Sequence, residues 1–244
     1  VSDDGRIFVT SMYYNGDILW EIPETFGTWK LVMGKGVGGA TFNASTYELK
    51  TSGGSYIAGP VAGFDVRGKG ENLQLLMLSC GYQAFKNSRQ SKFFTYEYNL
   101  GTAETWSTVP SKNFYTHSHI FLQPQYSQVQ YDKDGGIWCS QYYGSYTDTY
   151  PALVHIPRSV SATGTHDYLD KTSVPIQNAG FRYNNDYTKA IIAKKGANGA
   201  EGHIYRMGKN ASGKPTIDGT GEPQIDMSAI GPHVNVFAWD NANN

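Results

Sequence analysis

The sequence predicts an all-β fold built from a repeated antiparallel unit. Three observations carry that prediction: one strand template recurs along the chain, tight-turn residues separate its copies, and almost nothing has the period of an amphipathic helix. The template is an apolar strand followed by a second strand whose far end sets a polar residue between apolar ones. The first strands are Ile7-Phe8-Val9-Thr10-Ser11, Leu75-Leu76-Met77-Leu78-Ser79, Ile137-Trp138-Cys139-Ser140 and Ala190-Ile191-Ile192-Ala193. The second strands are Leu19-Trp20-Glu21-Ile22, Thr95-Tyr96-Glu97-Tyr98, Leu153-Val154-His155-Ile156 and Ile204-Tyr205-Arg206-Met207.

Further strands extend the unit. Gly63-Phe64-Asp65-Val66, Gln128-Val129-Gln130-Tyr131 and Gly180-Phe181-Arg182-Tyr183 each precede a first strand, and Thr28-Trp29-Lys30-Leu31 and Thr105-Trp106-Ser107-Thr108 suggest an outer fourth. Equivalent positions lie roughly 55 to 70 residues apart, as expected of blades whose loops vary while their strands persist. Asp132-Lys133-Asp134-Gly135-Gly136 and Asp3-Asp4-Gly5 supply Asp and Gly where a tight hairpin needs them.

Composition agrees. The 244 residues include 18 Tyr and 28 Gly, and only 17% are charged, a balance that favours strands and turns over helices. Lys and Arg (20) nearly cancel Asp and Glu (21), so there is no basic field to attract nucleic acid or an anionic membrane. No apolar run approaches the ~18 residues of a membrane span, so this segment is expected to be soluble and not inserted in a membrane.

At Tyr131-Asp132-Lys133-Asp134-Gly135-Gly136-Ile137-Trp138 the chain resembles the D-x-D/N-G-x-[IL]-W pattern of bacterial β-propeller repeats, the NHL-like and two-component-regulator type found in surface and secreted proteins. Val1-Ser2-Asp3-Asp4-Gly5-Arg6-Ile7-Phe8 is a second copy with Phe for Trp, whereas Arg67-Gly68-Lys69-Gly70-Glu71-Asn72 and Asn184-Asn185-Asp186-Tyr187 depart from it. The resemblance implies a β-propeller in an extracytoplasmic setting and transfers no catalytic residue, because propellers host unrelated functions.

A single domain over residues 1–244 is expected, with blade units near 1–59, 60–114, 115–170 and 171–227 and residues 228–244 opening a further or closing blade. Val234-Asn235-Val236-Phe237-Ala238-Trp239-Asp240 reads as another first strand. It either closes a ring of about four four-stranded blades or belongs to a larger one of about six to eight. Turn residues occur at both Asp240–Asn244 and Ser2–Gly5, so the larger ring, completed by remaining blades of a parent chain, is the expectation.

Candidate chemistry is sparse. His155 shares its position with Glu21, Glu97 and Arg206, so it reads as one of several polar groups tolerated in a period-two strand, and His203 reads the same way. Asp132-Lys133-Asp134-Gly135 begins like a calcium loop but lacks the later ligands, and a hairpin turn accounts for it. Ser2–Phe8 brushes the Asp-box of sialidase-type propellers, yet the six arginines are scattered and form no carboxylate-binding cluster. Cys80 and Cys139 are expected to be buried thiols. Gly34-Lys35-Gly36-Val37-Gly38-Gly39 reads as a flexible connection, and no cofactor is expected.

The most suggestive cluster is aromatic. Loops joining second and third strands of propeller blades reach one rim; here they hold Tyr13-Tyr14, the stretch from Tyr82 to Lys92, Tyr142-Tyr143 with Tyr146 and Asp148, and the stretch from Gly196 to Gly202. A loop entering a first strand adds His117 and His119, which alternate as two metal ligands would but lack a third. Tyrosine offers flat apolar area and a hydroxyl at low entropic cost, suited to a glycan or a protein surface. The same residues also fit as strand-end caps between blades. The expectation is a non-enzymatic binding or scaffold domain; the alternative is a propeller-type glycoside hydrolase or lyase with carboxylates on the ring axis, for which Asp65 is the one candidate acid of the repeat strands.

Overall fold

The computed structural model describes residues 1–10, 16–23, 25–80, 93–101, 110–117, 129–140, 153–159, 167–169, 181–184, 188–196, 199–209 and 215–226. Among them are eighteen strands in five antiparallel sheets, two 3-10 turns and no α-helix. The all-β expectation holds at that level. The chain divides into two compact units, one comprising Val1–Gln125 with Ser161–Thr163 and the other Tyr126–Val160 with Gly164–Asn244.

The first unit contains three sheets. β1 (Ile7–Thr10), β2 (Asp17–Ile22) and β3 (Lys30–Gly34) form a three-stranded meander. A second three-stranded sheet, β4 (Thr41–Asn43), β5 (Glu48–Lys50) and β6 (Tyr56–Ala58), lies within the span expected to be one blade. The third is the four-stranded meander β7 (Val61–Arg67), β8 (Gln74–Cys80), β9 (Phe93–Asn99) and β10 (Lys112–His117). All three contribute to one core, in which Leu19, Val32, Met33, Leu49, Ile57, Leu75 and Tyr98 are fully enclosed. The Tyr98 hydroxyl donates to the Ile57 carbonyl at 2.5 Å, so this buried ring also ties β9 to β6.

The second unit contains two four-stranded meanders. One is β11 (Val129–Tyr131), β12 (Ile137–Ser140), β13 (Leu153–Ile156) and β14 (Asp167–Leu169); the other is β15 (Phe181–Tyr183), β16 (Lys189–Gly196), β17 (Gly199–Lys209) and β18 (Pro215–Asp226). In all three four-stranded sheets strand order follows chain order, the simplest outcome when consecutive strands pair through hairpins.

Several expectations change. The described sheets are three of four strands and two of three, rather than four alike. The outer strand of the β7–β10 sheet is Lys112–His117, while Thr105–Thr108 lie outside the described residues. Gly34–Gly39 form an ordered corner: Gly34 ends β3, Val37–Gly39 make a 3-10 turn, and the Lys35 amide donates to the Gly16 carbonyl at 2.9 Å. The expected loop from Gly196 to Gly202 is mostly strand, since β16 and β17 stay paired out to Gly196 and Gly199.

Candidate functional site

The best-defined polar arrangement grows out of the turn that opens three of the four first strands, β1, β12 and β16. At Asp132–Gly136 the Asp132 amide donates to the Gly136 carbonyl (2.9 Å) and the Gly135 amide to the Asp132 carbonyl (3.2 Å). Ser2–Arg6 repeats the pattern, with Ser2 donating to the Arg6 carbonyl (2.9 Å) and Gly5 to the Ser2 carbonyl (3.0 Å). Gly5 and Gly135 occupy the same left-handed position, at φ 84° and 78°, where a side chain is disfavoured. The turn Asn184–Lys189 is one residue longer and keeps the closing bond, Asn184 amide to Lys189 carbonyl at 3.1 Å. Ser2 Oγ and Asn184 Oδ1 also each accept the amide that begins the strand, from Arg6 and Lys189 respectively, both at 2.9 Å.

In three sheets the polar residue of the second strand closes onto the region that precedes the first strand. In the β1–β3 sheet, Glu21 stands opposite Phe8 and grips the Arg6 guanidinium with both oxygens, 2.6 Å from Nε and 2.9 Å from Nη2. Arg6 also lies 5.1 Å from the Phe8 ring centroid and donates to the Gly101 carbonyl at 3.2 Å. Its pairing with Glu21 raises the guanidinium pKa, against the opposing effect of burial. In the β7–β10 sheet, buried Glu97 stands opposite Leu76 and accepts from Gln74 (3.3 Å) and Ser111 (3.2 Å), with Arg67 Nη2 at 3.7 Å.

In the β11–β14 sheet the corresponding residue is His155, opposite Trp138. Its Nε2 lies 2.6 Å from Asp132 Oδ2, and its ring centroid is 4.6 Å from that of Trp138. Burial alone would raise the Asp132 carboxyl pKa. His155 and the amides of Asp134 and Gly136 outweigh it, and hold the group below the ordinary carboxylate value. Asp132 Oδ1 takes the Asp134 amide at 2.8 Å, so both carboxylate oxygens are occupied by protein groups, as in a hairpin turn. His155 Nδ1 is buried with no hydrogen-bond partner among the described residues.

The alignment of polar positions therefore holds in three sheets and slips in the fourth. Arg206 pairs with Lys189, while Ile204 stands opposite Ile191, the counterpart of Phe8 and Trp138. Arg206 is displaced by two residues, is exposed, and keeps the same face of the strand. His203 lies within β17 opposite Ile192.

Of the expected rim residues, Tyr13, Tyr14, Tyr142, Tyr143, Tyr146, Asp148 and His119 lie outside the described residues. His117 ends β10 opposite Phe93. Asp65 sits half-buried in β7 opposite Leu76. Cys80 ends β8 opposite Phe93, and Cys139 in β12 pairs with Val129 and Val154. Among the described residues no three His, Cys, Asp or Glu side chains gather as a metal site would require, and no helix is long and apolar enough to cross a membrane.

Sequence reasoning missed the partners of the polar position. Arg6 and Asp132 both belong to the turn, but only the strand register sets them against Glu21 and His155. No family model matches this chain, and no curated protein matches it either.

Proposed function

We propose that this chain is a non-enzymatic β-propeller domain that binds or scaffolds, part of an extracytoplasmic protein, and that its sheets are blades. The observation that carries this reading is the repeated meander with a recurrent opening turn. In the β7–β10, β11–β14 and β15–β18 sheets the strands follow chain order, and the turn into the second strand sits at one end of the sheet. The connection between the second and third strands therefore leaves from the opposite end. Residues 141–152, bearing Tyr142, Tyr143 and Tyr146, form that connection in the β11–β14 sheet, and residues 11–16, bearing Tyr13 and Tyr14, form its counterpart between β1 and β2.

At the polar position of the repeat and its turn, the acids are used in a way that favours a binding role over hydrolysis. Glu21, Glu97 and Asp132 are each engaged within their own sheet by Arg6, by Gln74 and Ser111, and by His155. A glycosidase instead needs two carboxylates facing one another across a substrate, roughly 5 to 9.5 Å apart. Each tyrosine-bearing connection is a proposed contact for a glycan or protein. The test is glycan and polysaccharide array binding by the wild-type chain and by Tyr142→Ala/Tyr143→Ala. Loss of binding with an unchanged unfolding temperature is expected. Unaltered binding by the variant, or none by the wild type, would count against the tyrosine surface for glycans.

A further inference from the structure

The connection between β2 and β3 holds a second aromatic pair, at the end of the β1–β3 sheet opposite the Tyr13-Tyr14 connection. Ile22 and Lys30, which bound it, lie at the end marked by Ile7, whereas residues 11–16 leave from the end marked by Thr10 and Leu19. Within it Phe26 is 74% exposed and Trp29 49%, and every residue from Thr25 to Lys30 is exposed. Phe26 also has φ 52°, in the left-handed region that bulky residues avoid, with its amide donating to the Pro23 carbonyl at 2.8 Å.

The other non-glycine residue described in this region of backbone space provides a contrast. Tyr47 also has φ 52°, but its ring is half-buried and lies 6.5 Å from that of Phe42, so its strained backbone is coupled to an internal contact. At Phe26 the same backbone conformation turns a large ring out to water. Strained backbone and an exposed large apolar ring in one short connection are both features that cluster where ligands bind.

We infer that Phe26 and Trp29 form a carbohydrate-binding platform, with the two rings stacking on sugar faces and the Thr25 and Thr28 hydroxyls available to the sugar hydroxyls. Residue chemistry and charge point to the class of ligand. Lys30 is the one basic residue among Thr25–Lys30, too little for a nucleic-acid backbone. Flat rings interleaved with hydroxyls match a neutral polysaccharide. The platform does not depend on the tyrosine surface proposed above.

Native affinity electrophoresis of the chain through gels containing mixed-linkage β-glucan, xylan or galactomannan tests this. Retardation by at least one polymer is expected, weakened at least tenfold in both Phe26→Gly and Trp29→Ala and unchanged in Tyr142→Ala/Tyr143→Ala. Phe26→Gly should keep or raise the unfolding temperature, because glycine adopts φ 52° freely. The inference is overturned if no polymer retards the wild type, or if both platform variants are retarded as the wild type is. It is also overturned if Phe26→Gly lowers the unfolding temperature by several degrees, since the ring would then be holding the hairpin. Loss of retardation in the tyrosine variant alone would overturn the platform while supporting the tyrosine surface.

Discussion

In the β1–β3 sheet the cation stands on the turn side, as Arg6, and the anion on the strand, as Glu21. In the β11–β14 sheet the anion stands on the turn, as Asp132, and the strand supplies the imidazole of His155. An aromatic residue on the first strand accompanies each pair, Phe8 near Arg6 and Trp138 near His155. The same register position is thus closed twice with reversed polarity. What is repeated is a geometric relation between strand and turn, and any complementary couple that spans it serves. A histidine 2.6 Å from an aspartate would suggest catalysis if met alone. Beside Arg6 and Glu21 it reads as one solution to a structural problem.

The two closures differ in burial, and this sets the size of the expected effects. Asp132 and His155 side chains are 12% and 11% exposed, against 20% and 19% for Arg6 and Glu21. Removing one partner of a buried pair leaves the other desolvated and unpaired. Asp132→Ala should therefore cost about 3 kcal/mol in denaturant unfolding. A change below about 1 kcal/mol would show that the pair contributes no more than an exposed ion pair does.

The next largest effect concerns the residue where the two turns differ most. Gly136 takes the place of Arg6, and a Cβ there would lie 2.5 Å from Asp132 Oδ2, 2.8 Å from the Ile156 carbonyl and 3.1 Å from the Arg158 amide. Two of these neighbours are backbone and cannot step aside. Gly136→Ala should cost about 2 kcal/mol, whereas Arg6→Ala should leave the turn hydrogen bonds of Ser2 and Gly5 intact. Circular dichroism with thermal unfolding compares the two.

Much of this was legible in the sequence, for physical reasons that particular residues make plain. Ile137-Trp138-Cys139-Ser140 and Leu153-Val154-His155-Ile156 are apolar runs flanked by turn residues, and both form strands as read. Asp132–Gly136 has the turn chemistry of a hairpin and makes one. The β4–β6 sheet was not legible, because Thr41-Phe42-Asn43 and Tyr56-Ile57-Ala58 are too short to display a period. β18 is not legible either, because Pro215, Gly219, Gly221 and Pro223 give it the composition of a loop. The two-residue offset of Arg206 is not legible because a shift of two leaves every side chain on its original face. The Arg6–Glu21 and Asp132–His155 partnerships needed the register itself, which strand composition does not encode.

The smallest effect is a pH dependence confined to one closure. The Asp132 carboxyl is held below its ordinary value of 3.8 in the folded chain. The unfolded state then binds the proton more readily in acid, so stability rises with pH across this window. The contribution is fully present above the ordinary carboxylate range and is lost as pH falls through the lowered folded value. Unfolding free energies measured from pH 5 down to about 2 should fall less steeply for Asp132→Asn than for the wild type. Identical slopes would mean that Asp132 titrates alike in both states.

The shared closure is tested most directly by double-mutant cycles on both pairs, Asp132→Ala with His155→Ala and Arg6→Ala with Glu21→Ala, read by urea unfolding at neutral pH. A coupling of about 2 kcal/mol is expected for Asp132–His155 and about 1 kcal/mol or less for the more exposed Arg6–Glu21. Additive single-mutant effects at both pairs would contradict the account, because the polar position would then have no energetic link to the turn it faces.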